Sequence, residues 1–230
     1  MSEMTTEDMR ALAKTLRAAR AWAVALSAQK VIDALASDST IVVTPIAGMP
    51  VSCIDIKALG AKASSDGTFL MADITATGVL GCEALRLGAH AAVCELLPAL
   101  SVVGVSRNAE RCAPGVGERI QAVASAHAPG DSAPNIMELI AAAGTSWRQR
   151  SDSAQVVASY LRCHPQVARV AYPGLKGDDS FSVAARTLQS GFGPVVDWLR
   201  AHGDTWHRVV CDASDPRKQV MALEQQLSRR

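Results

Sequence analysis

Residues 54–100, "IDIKALGAKASSDGTFLMADITATGVLGCEALRLGAHAAVCELLPAL", decide the fold, because apolar runs and helix-like segments alternate along them. "TFLMAD" (68–73) and "AAVCELL" (91–97) are short continuous apolar runs, the pattern of strands buried on both faces. Ahead of the first run, "IDIKALGAKASSDG" (54–67) places Ile56, Leu59 and Ala63 on one helical face and ends at Gly67. "GCEALRLGAH" (81–90) reads as a second short helix, again closed by a glycine. Upstream, "STIVVTP" (39–45) is β-branched and ended by proline, which predicts another buried strand. Strand, helix, strand, helix, strand in this rhythm predicts βαβ units and a parallel sheet, an α/β fold. In such sheets ligands sit at the carboxyl ends of the strands, and Asp73 falls at one of them.

Working outward, residues 5–36 read as helix, with Thr5 or Thr6 as cap and Glu7 and Asp8 in the first turn. Leu12, Leu16, Ala19, Ala23 and Leu26 form its apolar stripe, with a stop or kink near Ser27–Gln29. "HAPGDSAPN" (127–135) is a turn-rich boundary, and Ser132 and Pro134 suit the start of a helix reaching about Leu161. "HPQVARVAYPGL" (164–175) predicts a turn, a strand and a turn; "SVAARTLQSG" (182–191) a helix; "WHRVVCD" (206–212) a strand. "DPRKQVMALEQQLSRR" closes the chain as a helix burying Val220, Leu223 and Leu227. The expected organisation is a helical segment over 1–38, a larger domain over 39–126, and a long helix with a small α+β domain over 127–230.

The net charge of +1 gives no electrostatic case for nucleic acid or an anionic membrane as partner. The first twenty residues hold no apolar signal-peptide core, and no apolar run is long enough to span a bilayer. The six cysteines, at 53, 82, 94, 112, 163 and 211, form no C-x-x-C pair and match no zinc spacing. His90, His127, His164, His202 and His207 are too scattered to suggest a metal site. The expectation is a cytoplasmic protein with free thiols and no metal.

The string His164, Pro165, Val167, Val170, Tyr172, Pro173, Gly174, Leu175, followed by "QSGFG" (189–193), resembles the Cys/Met-metabolism enzymes that use pyridoxal phosphate. That family holds cystathionine γ-synthase, the cystathionine lyases and the homoserine sulfhydrylases. "VVTP", "DI", "MADITATG" and "LGAH" upstream resemble its large-domain segment, so the likeness runs over about residues 37–230. It implies a type I aminotransferase-like large domain, shortened here, with a small α+β domain after it.

The resemblance also assigns residues. Asp73, followed by Thr75 and Thr77, matches the aspartate that pairs with the pyridine nitrogen and keeps the ring an electron sink. Pro98 matches the lysine of the internal aldimine, and proline has no amine to form one. Glu95 and Leu97 stand where the family has Ser and Thr that help hold the phosphate; a carboxylate repels that group and a leucine offers it no hydrogen bond. Arg208 falls where a family arginine grips a substrate carboxylate. Nothing in residues 1–36 resembles the family's phosphate loop, and "APGVGE" (113–118) lacks its spacing. Cys94 with His90, and Cys163 with His164, lack a third group to complete a nucleophilic site. The resulting expectation is a degenerate, non-catalytic relative that takes no cofactor. It would act as a binding or regulatory subunit, as a homo-oligomer or beside an intact paralogue. The alternative is an active lyase or transferase of sulfur amino acids with a displaced lysine or a site completed by another chain.

Overall fold

The computed structural model describes residues 6–130, 132 and 134–228; the expected cap at Thr5 lies outside them. In chain order the elements are α1 (Thr6–Leu16), β1 (Arg20–Val24), α2 (Ala28–Leu35), β2 (Thr40–Val43), β3 (Ile46–Ala47), β4 (Ser52–Cys53), α3 (Ile56–Asp66), β5 (Phe69–Asp73), β6 (Ala91–Leu97), β7 (Leu100–Val105), α4 (Ala109–Cys112) and α5 (Val116–Ala126). They continue as α6 (Ile136–Cys163), β8 (Val167–Ala171), α7 (Phe181–Thr187), β9 (Val195–Arg200), β10 (Trp206–Val210) and α8 (Pro216–Leu227). The chain forms two compact units. The first holds residues up to Pro45 and Asp55–Gly144, the second Ile46–Ile54 and residues from Thr145 on.

The first unit is built on a five-stranded sheet in the order β1-β7-β6-β5-β2. β5 lies parallel to both β2 and β6, as expected, but β7 runs antiparallel to β6 and β1, so the sheet is mixed rather than parallel. The cause is local. Leu97 pairs with Leu100, leaving Pro98 and Ala99 as a two-residue hairpin turn, with Ala99 at a φ of 59°. Proline suits the first corner of such a turn because its ring fixes φ.

Phe69, Leu70 and Met71 of β5 are fully buried, each contributing about 1.5–3 kcal/mol of transfer free energy. Phe69 and Met71, with Val93 and Val103 of the neighbouring strands, share one core with Val31, Ile32 and Leu35 of α2 and Val116 and Ile120 of α5. At α3, Asp55 accepts a hydrogen bond from the Ala58 N–H (3.1 Å), and Gly67 ends the helix at a φ of 69°. Gly60 of α3 lies against Gly88: a Cβ there would come 2.7 Å from the Gly88 carbonyl oxygen.

Three expectations for this unit are corrected. Residues 5–36 are not one helix. The backbone turns left-handed at Arg17 (φ 57°), and Ala21, Trp22, Ala23 and Val24 are buried in a strand paired with β7. An Ala-rich stripe suits either period, and sheet pairing overrides the helical propensity. β2 is not buried: Ile41 and Val42 are 45% and 43% exposed, because β2 is the last strand of the sheet. Residues 81–90 are turns rather than a helix, closed by hydrogen bonds such as Arg86 N–H to the Glu83 carbonyl (3.0 Å).

The second unit pairs a three-stranded antiparallel sheet, β10-β9-β8, with the β3-β4 hairpin. Val157, Ala158 and Leu161 of α6 pack on Val196 and Trp198 of β9 and Leu223 and Leu227 of α8. Fully buried Tyr172 organises its loops. Its hydroxyl lies 3.1 Å from the Ser151 carbonyl oxygen and 3.2 Å from that of Gly193. The Ser151 hydroxyl accepts from the Gly193 N–H (3.0 Å), and Gly191, at a φ of 145°, leaves no room for a Cβ beside Ser151. Tyr172, Gly191 and Gly193 therefore meet at one residue of α6.

Candidate functional site at the strand ends

Asp73 closes β5 and is half-buried. One of its oxygens accepts the Thr75 N–H (2.9 Å), an Asx turn that fixes the carboxylate at the carboxyl end of the strand. The Thr75 hydroxyl accepts the Glu95 N–H from β6 (3.0 Å), tying the two parallel strand ends together. Glu95 then turns its carboxylate onto the backbone. One oxygen accepts the N–H of Ala28, the first residue of α2 (2.9 Å), and the other that of Ala99 in the hairpin turn (3.0 Å). Ser27 caps α2, accepting from the Lys30 N–H at 3.4 Å. The structure thus brings Asp73, Thr75, Glu95 and the N-terminus of α2 to one place. Thr77 is buried and hydrogen-bonds the Ile74 carbonyl (3.2 Å) within the turn.

The N-terminus of α2 is the part of this site that sequence reasoning missed. Its signal was a serine directly after a buried apolar run, at the place read as a kink in a helix. Leu97 and Pro98 are exposed at the hairpin tip. All six lysines, at 14, 30, 57, 62, 176 and 218, are exposed as well. Lys30 alone lies in the first turn of α2.

The Cys94 thiol is not poised as a nucleophile. Burial first, then the charges of Asp73 and Glu95, push Cys94 up to about 12, so it stays protonated. His90 is fully buried; its Nδ1 accepts the Leu70 N–H (3.0 Å), so the neutral ring carries its hydrogen on Nε2. That atom faces the Ser64 hydroxyl (3.2 Å) and the Cys112 thiol (3.5 Å), to which it donates, and it cannot take a proton from them. Among the described residues no group of three or more His, Cys, Asp or Glu converges as a metal site. Nor is any helix among them long and apolar enough to cross a membrane.

Arg208 belongs to the second unit. Its Nε and Nη2 donate to the fully buried Asp197 carboxylate at 2.8 and 2.7 Å, and Nη2 also meets the Gly48 carbonyl. The bond to Asp197 raises the Arg208 pKa further above its ordinary range. A cleft of about 410 Å³ runs past it, lined by Trp198, His207, Gln219 and Gln226 among others. The carboxylate that Arg208 holds is the protein's own.

Residues 139–214 match the family model of the Cys/Met metabolism PLP-dependent enzymes. Among 240 matching solved chains is apo CalE6, a methionine gamma lyase from Micromonospora echinospora. It shares 14% identity at a TM-score of 0.74, over 96% of this chain and 85% of that one. This shows the fold. No curated protein matches.

The expectation of a chain without a cofactor is contradicted by this match, which is to the model of a family dependent on pyridoxal phosphate. The strand ends offer that group, on the pairing the resemblance implies, the Asp73 carboxylate with Thr75 beside it. They oppose it at Glu95, an anion already seated on the α2 N-terminus, and at Pro98, which has no amine. The matched residues, 139–214, include neither Asp73 nor Glu95 nor Pro98.

Proposed function

We propose that this relative of the trans-sulfuration enzymes does not itself carry out Schiff-base chemistry and serves as a binding or regulatory subunit, in an assembly with itself or with an intact relative. The observation that supports the reading is Pro98. It stands at the position the resemblance gives to the lysine and forms the corner of the β6–β7 hairpin, in a turn held by the Glu95 bond to Ala99. Replacing one residue there does not restore a lysine site, because Glu95 and the turn are part of the same arrangement.

The competing reading is an active lyase or transferase of sulfur amino acids with a displaced lysine. One observation favours it: Lys30 stands in the first turn of α2, whose leading N–H meets Glu95. The two readings separate in one experiment. The purified chain is mixed with pyridoxal phosphate, reduced with borohydride, digested and mapped by mass spectrometry. The expected result is no stoichiometric adduct at any lysine. A stoichiometric adduct at Lys30, or at any other lysine, overturns the proposal and calls for assays on cystathionine and homoserine esters. The subunit role is checked by co-expression with an intact member of the family and size-exclusion chromatography, in which the two are expected to elute together.

A further inference from the structure

The N-terminus of a helix gathers unpaired N–H groups and the positive end of the helix dipole, and it attracts anions. In α2 that end is already served by a charge from the protein itself. The Glu95 carboxylate reaches from β6 to the Ala28 N–H at 2.9 Å, while its other oxygen takes the Ala99 N–H at 3.0 Å. Its own backbone N–H is held by Thr75 at 3.0 Å, so the side chain starts from a fixed point. Three hydrogen bonds to three different segments make this a built arrangement rather than a surface residue resting on a helix.

We propose that Glu95 is a built-in occupant of the anion position at the start of α2, and that a phosphate monoester reaching these strand ends must displace it. The carboxylate supplies the negative charge and acceptor oxygens that a phosphate would bring. A phosphate entering beside it meets like charge in a partly buried place, and one displacing it leaves the Ala99 N–H without its acceptor. Glu95 thereby sets ligand class: it disfavours phosphate-bearing ligands here and leaves neutral ones unaffected. The inference concerns the same strand ends as the proposed function but stands on a different atom. That reading fails on a lysine adduct, this one on phosphate affinity.

The test uses the full chain and two neutral variants, Glu95→Gln and Glu95→Ser, each first checked for a cooperative melt. Calorimetry then measures inorganic phosphate, and pyridoxal phosphate against pyridoxal. The variants are expected to bind inorganic phosphate about tenfold or more tightly than wild type, with a like gain for pyridoxal phosphate and none for pyridoxal. Equal phosphate affinity in wild type and either folded variant overturns the inference. So does wild-type binding of inorganic phosphate with a Kd well below about 1 mM, a result that does not depend on either variant folding.

Discussion

His90 shows how a single residue's protonation is tied to the fold. It is buried, stacked on Phe69 with centroids 5.9 Å apart, and its Nδ1 is an acceptor from Leu70 N–H, a role only the unprotonated nitrogen can fill. Burial holds its pKa below the ordinary 6.5. Above that value folded and unfolded chains both carry a neutral imidazole, and the contribution to stability is complete. As pH falls below it the unfolded chain takes up a proton that the folded one resists, so stability drops toward the lowered folded value. Melting temperature followed from about pH 8 to about pH 5 is expected to fall over the acid half of that range, and less steeply in His90→Gln. Equal slopes would mean that other groups set the acid limit. At this scale the sequence was legible in chemistry but not in partners. The resemblance assigns Asp73, Glu95, Pro98 and Arg208 by their positions. That Glu95 would reach Ala28, or Arg208 the Asp197 carboxylate, depends on long-range approach that no local pattern encodes.

Among the elements, the central strands were the most legible. β5 and β6 are covered on both faces, so each is written as an unbroken apolar run. β7 carries the same signal in "LSVVGV", two residues after β6, but Pro-Ala lacks the Asn-Gly or Asp-Gly signature of a two-residue hairpin, so the reversal is not marked in the sequence. At β1 the sequence predicts helix because alanines at 19, 21 and 23 satisfy either period. The turns of 81–90 illustrate the opposite limit, a segment whose shape is set by its neighbour. Gly60 and Gly88 let α3 and that turn approach backbone to backbone. Gly60→Ala would place a Cβ 2.7 Å from a carbonyl oxygen, and backbone cannot swing aside as a side chain can. The substitution is expected to cost about 1–3 kcal/mol, read as a lower urea midpoint at unchanged slope. A neutral result would show that the turn yields without penalty.

For the whole molecule, the family match and the candidate residues of the strand ends lie in different parts of the chain, and of the assigned positions only Arg208 falls within the match. The family match covers 139–214, where Tyr172, Ser151 and the glycines at 191 and 193 build a framework of packing and turns. Asp73, Glu95 and Pro98 stand outside it. Residues that hold turns and packing can persist whatever has become of the residues at a site, and this is why likeness to a family of enzymes carries over to architecture sooner than to activity.

The excursion at Ile46–Ile54 bears on how this chain can be taken apart. It belongs to the second unit although the residues on either side of it belong to the first. Its Val51 N–H and Gly48 carbonyl serve the buried Asp197 and its partner Arg208, and Ile46 borders Gly193. A gene fragment encoding residues 145–230 therefore carries a buried carboxylate shorn of one of its donors. It is expected to express poorly or to melt without a sharp transition, and to recover when a peptide of residues 46–54 is supplied in trans or spliced to its front. The working boundary of this unit is a list of two segments, and a cloning scheme that treats it as one cut would discard nine residues that its interior requires.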